Sequence, residues 1–254
     1  MVSTPWRIGA ASVMGTRHSQ NNLPCQDAHC WEILSSEVLV MAIADGAGSA
    51  SRAAQGSQLA VTQALERLKS ELREQFPANE LSWRKASLKI LKQLRTDFKA
   101  QANQEGGSLD DLSTTLIFGV MTPQLVAVTQ VGDGAAILQD ALGRLKALTL
   151  PPQEDPSLEI TTFLTSPSAL KSAQFTYHWG RHARLALLTD GLQLLALKLP
   201  QGEPHEPFFK PLFRYIAQSQ NPTEASEEIA KFLNSERVRD RVDDDLTLFL
   251  ASQS

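Results

Sequence analysis

Apolar and polar positions along the 254-residue chain fall into three recurring patterns. Short runs of branched and aromatic residues bounded by turn formers read as strands: WRIGAASVMG, VLVMAIAD, TTLIFGVM, QLVAVTQVGD, EITTFLT, AQFTYHW, RLALLTD and LTLFLA. Residues 51–76 and 81–102 instead carry apolar side chains at helical spacing, through Ala54, Leu59, Thr62, Leu65 and Leu68 in the first and Leu88, Leu91, Leu94 and Phe98 in the second. A third helix is expected over 221–236, entered through Pro222 and an acidic first turn. The Pro-rich stretches 148–159 and 199–213 read as surface loops. Strands before, between and after helix pairs, without a steady βαβ rhythm, predict an α+β layered fold in a single domain, its two long helices antiparallel on a sheet.

Composition narrows the function classes. With 42% hydrophobic and 20% charged residues the chain reads as a soluble globular protein, and 24 basic against 28 acidic side chains leave a net charge of −4 that argues against nucleic acid as a partner. The first residues lack a basic start followed by an apolar core, and no run approaches about 18 apolar residues, so a cytoplasmic protein with no membrane partner is expected. Cys25 and Cys30 have no His or Cys at zinc-ligand spacing and read as reduced thiols.

The chemistry lies where the apolar strands end. VMAIADGAGSA, TQVGDGAAIL and RLALLTDGLQLL each stop on Asp-Gly, at Asp45, Asp133 and Asp190. An Asp-Gly after a strand is most often a hairpin turn, which is the reading for Asp133. Asp45 and Asp190 follow runs that look buried on both faces, and RVDDDLTLFLA inverts the order, setting Asp243, Asp244 and Asp245 before a strand. If that strand runs antiparallel to the other two, its start meets their ends at one sheet edge and the carboxylates converge. Such a cluster repels itself unless a cation neutralises it, and an all-oxygen set suits Mg or Mn better than zinc. Two such ions about 4 Å apart suit phosphate ester hydrolysis. Asp27, in PCQDAHCW, and Asp110 and Asp111, ahead of the strand beginning Thr114 and Thr115, join the set.

In order, QDA, ADGAG, STTLIFG, VGDGAAIL, LLTDGL and DDDLT resemble the motif string of the metal-dependent Ser/Thr protein phosphatases of type 2C, over nearly the whole chain. MGTRHSQNNLPCQDA, ADGAGSAS and DDDLTL look closest to a compact bacterial branch. The resemblance implies a four-layer αββα sandwich, two antiparallel sheets flanked by helix pairs, with a binuclear Mn or Mg site at one end. It implies that Asp45 bridges two ions, that the Gly46 carbonyl binds the first, that Asp190 and Asp244 bind the second, and that Asp27 acts through coordinated water. Asp111 would complete a weaker third metal site, with Asp110 an equal-looking neighbour. Asp244 is chosen because the family motif counts back three residues from Thr247; Asp243 and Asp245 then read as flanking polar residues, and Gly132 and Asp133 as structural support. The implied reaction is attack by a metal-bridging water on phosphoserine or phosphothreonine, so neither Cys25 nor Ser49 is a nucleophile.

Two departures matter. The family's phosphate-holding Arg is absent from its usual place, where Asn22 stands, so Arg17 or His18 is expected to reach the phosphate, with His18 favoured. The family's Glu is Gln26, which adds no charge and weakens the first metal site. The expected function is dephosphorylation of proteins by a monomer that opposes a bacterial Ser/Thr kinase. A pseudophosphatase that binds a phosphoprotein or kinase without turnover is the alternative, and a small-molecule phosphatase a third reading.

Overall fold

The computed structural model describes residues 6–152 and 161–253. Its strands and helices begin with β1 (Trp6–Val13), α1 (Thr16–Gln20), β2 (Asp27–Ser35), β3 (Val38–Asp45), α2 (Ala53–Glu74) and α3 (Glu80–Gln104). Then come β4 (Leu116–Met121), β5 (Leu125–Val131), β6 (Ala135–Asp140), β7 (Leu145–Thr149), α4 (Ala169–Ser172), β8 (Gln174–Trp179), β9 (His182–Leu188) and α5 (Gln193–Ala196). The chain finishes with β10 (Leu197–Lys198), β11 (Glu203–Pro204), α6 (Glu206–Gln218), α7 (Pro222–Leu233), α8 (Glu236–Arg239) and β12 (Leu246–Gln253).

Two five-stranded antiparallel sheets form, ordered β1-β12-β9-β6-β7 and β2-β3-β4-β5-β8, beside a small β10-β11 ribbon. Side-chain alternation along β3 shows why its run is apolar throughout. Leu39, Met41 and Ile43 point between the sheets, where they meet Val128, Leu187 and Phe249. Val40, Ala42 and Ala44 point the other way, against Leu65 and Leu68 of α2 and Leu91 and Leu94 of α3. The opposite sheet repeats the arrangement, with Leu188, Leu248 and Leu250 packed on Phe209 and Phe213 of α6 and Ile229 of α7. A strand buried on both faces has no polar side to show, so periodicity alone does not orient it. The resulting order is helix, sheet, sheet, helix, the expected αββα sandwich.

The long helices form where the apolar stripes place them. Asn79 caps α3 by accepting from the Ser82 backbone N–H at 2.9 Å, and Asn221 caps α7 by accepting from the Thr223 N–H at 2.9 Å. Four expectations change. Of the stretch 199–213, residues 199–205 are a turn and the short β11, but from Glu206 the chain is the helix α6, because Phe209, Leu212, Phe213 and Ile216 form one buried stripe, and Pro207 lies in the first turn, where its missing N–H costs nothing. β2, β6, β7 and the short β10 and β11 are additional strands. In EITTFLT, residues 161–165 form no strand, and Leu164 N–H instead donates to the Thr114 carbonyl at 2.7 Å. Of 148–159, the first two residues end β7, and 153–160 lie outside the described residues. No helix among the described residues is long and apolar enough to cross a membrane.

Candidate metal centre

Both sheets supply carboxylates to one end of the sandwich. Asp45 ends β3 and stands opposite Asp27, the first residue of β2. The Thr-Thr pair fixes it: the Asp45 carbonyl accepts from the Thr115 N–H and the Thr114 hydroxyl, both at 2.8 Å, and the Asp45 N–H donates to the Thr115 hydroxyl at 3.0 Å. Gly46 follows, its N–H donating to the Gln26 carbonyl at 3.0 Å; a Cβ there would lie 2.5 Å from the Ala53 carbonyl oxygen, so only glycine lets α2 approach this closely. In the other sheet β12 is antiparallel to β9, which brings the start of β12 beside Asp190. Gly191 permits that approach, since a Cβ would lie 2.3 Å from the Asp245 carbonyl oxygen.

The convergence therefore differs from a single sheet edge: β12 and β9 share a sheet, and β3 belongs to the other. Asp133 differs too. β5 and β6 lie in different sheets, so the Gly-Asp-Gly between them is a crossover and not a hairpin turn. The crossover delivers Asp133 into the cluster, where ligand oxygens of Asp45, Asp133 and Asp190 lie within 4.8 Å of one another.

The cleft over these groups has a volume of about 120 Å³, and Arg17, His18, Gln26, Gly46 and Asp244 also line it. Burial drives the Asp45 carboxyl well above the usual range, with repulsion from Asp27, Asp190 and Asp133 adding to it. Burial lifts Asp27 to about 7, against the opposing hydrogen bonds from Thr189 and Thr247, and lifts Asp190 to about 6 with help from Asp133 and Asp244. Asp133 rises for the same first reason, opposed by the Thr161 hydroxyl, which donates to it at 2.6 Å. One oxygen each of Asp27 and Asp133 is buried with no hydrogen-bond partner among the described residues. Crowded, desolvated, partly orphaned carboxylates without a matching cation are the donor set a hard divalent ion fits.

The flanking residues divide by burial. Arg17, half-exposed, pairs with Asp244 at 3.0 Å at the mouth. His18 is buried below, its Nδ1 2.9 Å from a carboxylate oxygen of Asp245. Asp245, read from sequence as a flanking polar residue, is itself 3% exposed and accepts from the backbone N–H of Gly15 at 2.6 Å and of Gln26 at 2.5 Å. It ties the α1 turn to β2 and to the start of β12. The Gln26 side-chain oxygen is buried without a hydrogen-bond partner among the described residues. Asp111 stands outside the cleft lining; its carboxylate accepts from the Ser108 N–H at 2.6 Å and the Ser51 hydroxyl at 2.7 Å, and these bonds hold it down to about 2. Among the described residues the Asp110 carboxylate makes no comparable bond; its carbonyl accepts from the Ser113 N–H at 3.1 Å.

A family model described as Protein phosphatase 2C matches residues 14–234. The chain belongs to the protein phosphatase 2C family. Family members are metal-dependent phosphatases acting on phosphorylated serine and threonine of proteins, and the Asp45, Asp133 and Asp190 triad is a donor set able to hold metal. The chain is 32% identical over 253 residues to Serine/threonine-protein phosphatase 3 of Escherichia coli (strain K12), covering 97% of this chain and 98% of that one. In fold it resembles Serine/threonine phosphatase Stp1 from Staphylococcus aureus, with a TM-score of 0.65 at 14% identity over 97% of this chain and 94% of that one. It also resembles RsbX, solved in complex with magnesium, with a TM-score of 0.57 at 16% identity over 98% of this chain and 96% of that one. This protein phosphatase 2C chain thus has both sheets and the acidic end of the sandwich that the motif order implies.

Proposed function

We propose that this protein phosphatase 2C chain removes phosphate from phosphoserine and phosphothreonine of a protein substrate in the cytoplasm, as a monomer, and opposes a bacterial Ser/Thr kinase. One observation carries the reading: half-buried carboxylates from both sheets converge beneath a cleft with Arg17 at its mouth. Asp45, the Gly46 carbonyl, Asp190 and Asp244 would hold two Mn or Mg ions, with Asp27 acting through water, and the position of Asp133 adds it to the set. When bound, such ions neutralise the carboxylates, polarise the phosphate and lower the pKa of a water toward that of a nucleophile.

The remaining work falls to the chain. Arg17 holds the phosphate: it is already at the mouth, and among the described residues its guanidinium has the half-buried Asp244 to give up. His18 orients the floor of the cleft, its ring set by Asp245. Gln26 offers a neutral acceptor oxygen to a water proton where a Glu would add charge. A third ion at Asp111 would compete with the Ser108 and Ser51 bonds and would be held more weakly for that reason.

The test is phosphate release from phosphothreonine peptides in Mn and in EDTA. Turnover is expected in Mn and loss of turnover in EDTA. Metal-independent turnover would refute this reading; an inert chain that still binds phosphoprotein would replace it with the pseudophosphatase.

A further inference from the structure

A second recess, on the outer helical layer, shares no lining residue with the carboxylate cleft. It has a volume of about 320 Å³. Phe208, Leu212 and Tyr215 of α6, Ile229 and Phe232 of α7 and Val238 of α8 form its walls. The walls are braced: the Phe208 ring stands edge-on to Phe209 at 5.1 Å and tilted against Phe232 at 6.1 Å. This is the Pro- and Phe-rich stretch whose composition reads as a loop, and the phosphatase chemistry uses none of it.

The rim is cationic. Arg237 and Arg241 border the recess and are exposed, and their guanidinium groups have no hydrogen-bond or ion-pair partner among the described residues. The one acidic lining residue, Glu228, is paired with Lys231 at 2.6 Å, so the two guanidinium groups keep their charge unmatched. An aromatic and branched apolar interior under two free arginines is complementary to a molecule with an apolar body and an anionic head, and the planar guanidinium fork matches a carboxylate. The volume lies at the lower end of the range of about 300–1,000 Å³ for small-molecule sites, whereas a stable protein partner needs roughly 800 Å² on each side. We propose that the recess between α6, α7 and α8 binds a small amphipathic carboxylate, apolar body inward and carboxylate on Arg237 and Arg241.

Octanoate, with octanol as its uncharged counterpart, tests this in the full chain by methyl NMR at Leu212, Ile229 and Val238. Octanoate is expected to shift these methyls and to bind at least about tenfold more tightly than octanol. The exposed double variant Arg237→Gln, Arg241→Gln should erase that preference while octanol binding stays unchanged. Absence of shifts at millimolar octanoate, or equal affinity for octanoate and octanol, would overturn the proposal. So would an acidic amphipathic peptide that shifts the same methyls when octanoate does not, which would make the recess a protein-docking site. None of these readouts involves phosphate release, so their failure is distinct from failure of the phosphatase reading.

Discussion

Asp45→Ala is expected to lower kcat/KM for phosphothreonine peptide hydrolysis in Mn by at least about a thousandfold. Asp45 lies among like charges, opposed by Asp27, Asp190 and Asp133 together. On the proposed reading, removing it takes away a carboxylate that would hold the metal. The backbone should survive the change, because the bonds from Thr114 and Thr115 go to the Asp45 main chain and not to its side chain. Thermal unfolding in EDTA separates the two roles. The variant should match or exceed the native chain there, since a buried carboxylate crowded by like groups is costly without a cation. Activity within tenfold of native would deny Asp45 its place in the metal centre.

Asp245→Ala is expected to cost on the order of 3–5 kcal/mol of folding stability, measured by urea unfolding. The carboxylate is buried and accepts two backbone N–H bonds, from Gly15 and Gln26, while facing His18 Nδ1. With alanine in its place, both donors lose their acceptor and the imidazole loses the nearby carboxylate, in a region closed to water. Asp245→Asn keeps one acceptor oxygen and should lose less. A loss under about 1 kcal/mol for the alanine variant would mean that the α1 turn is held by other contacts.

These two aspartates show what local sequence reveals. Asp45 and Asp190 were legible because each terminates a strand apolar on both faces, a pattern that leaves a carboxylate little reason to be there except chemistry. Asp245 was not, because Asp243, Asp244 and Asp245 are identical in type, and only the register of β12 against β9 and β1 decides which one turns inward. Asp133 was misread for a different reason. A Gly-Asp-Gly between two strands looks the same whether the strands pair with each other or leave for different sheets, and strand pairing is a long-range property. Arg17 and His18 are neighbours on the short α1, and the sequence reading favours His18 as the phosphate holder; packing against Asp245 buries His18 and leaves Arg17 at the mouth.

The fold followed the same division. α2 and α3 carry long, regular apolar stripes and formed where those stripes run. α6 was hidden by its prolines, although the Phe209, Leu212, Phe213 and Ile216 spacing was present throughout. β2 was hidden by its mixed exposure, since an outer strand with only one neighbour, β3, lacks the continuous apolar run of its partner.

The central claim is that the acidic end of the sandwich is a divalent metal centre. Anomalous diffraction at the Mn edge from crystals grown in millimolar Mn tests it most directly. Strong peaks are expected among the carboxylates of Asp45, Asp133, Asp190 and Asp244; an absence of peaks there, with Arg17 still paired to Asp244 and the buried carboxylates in contact with one another, would contradict it.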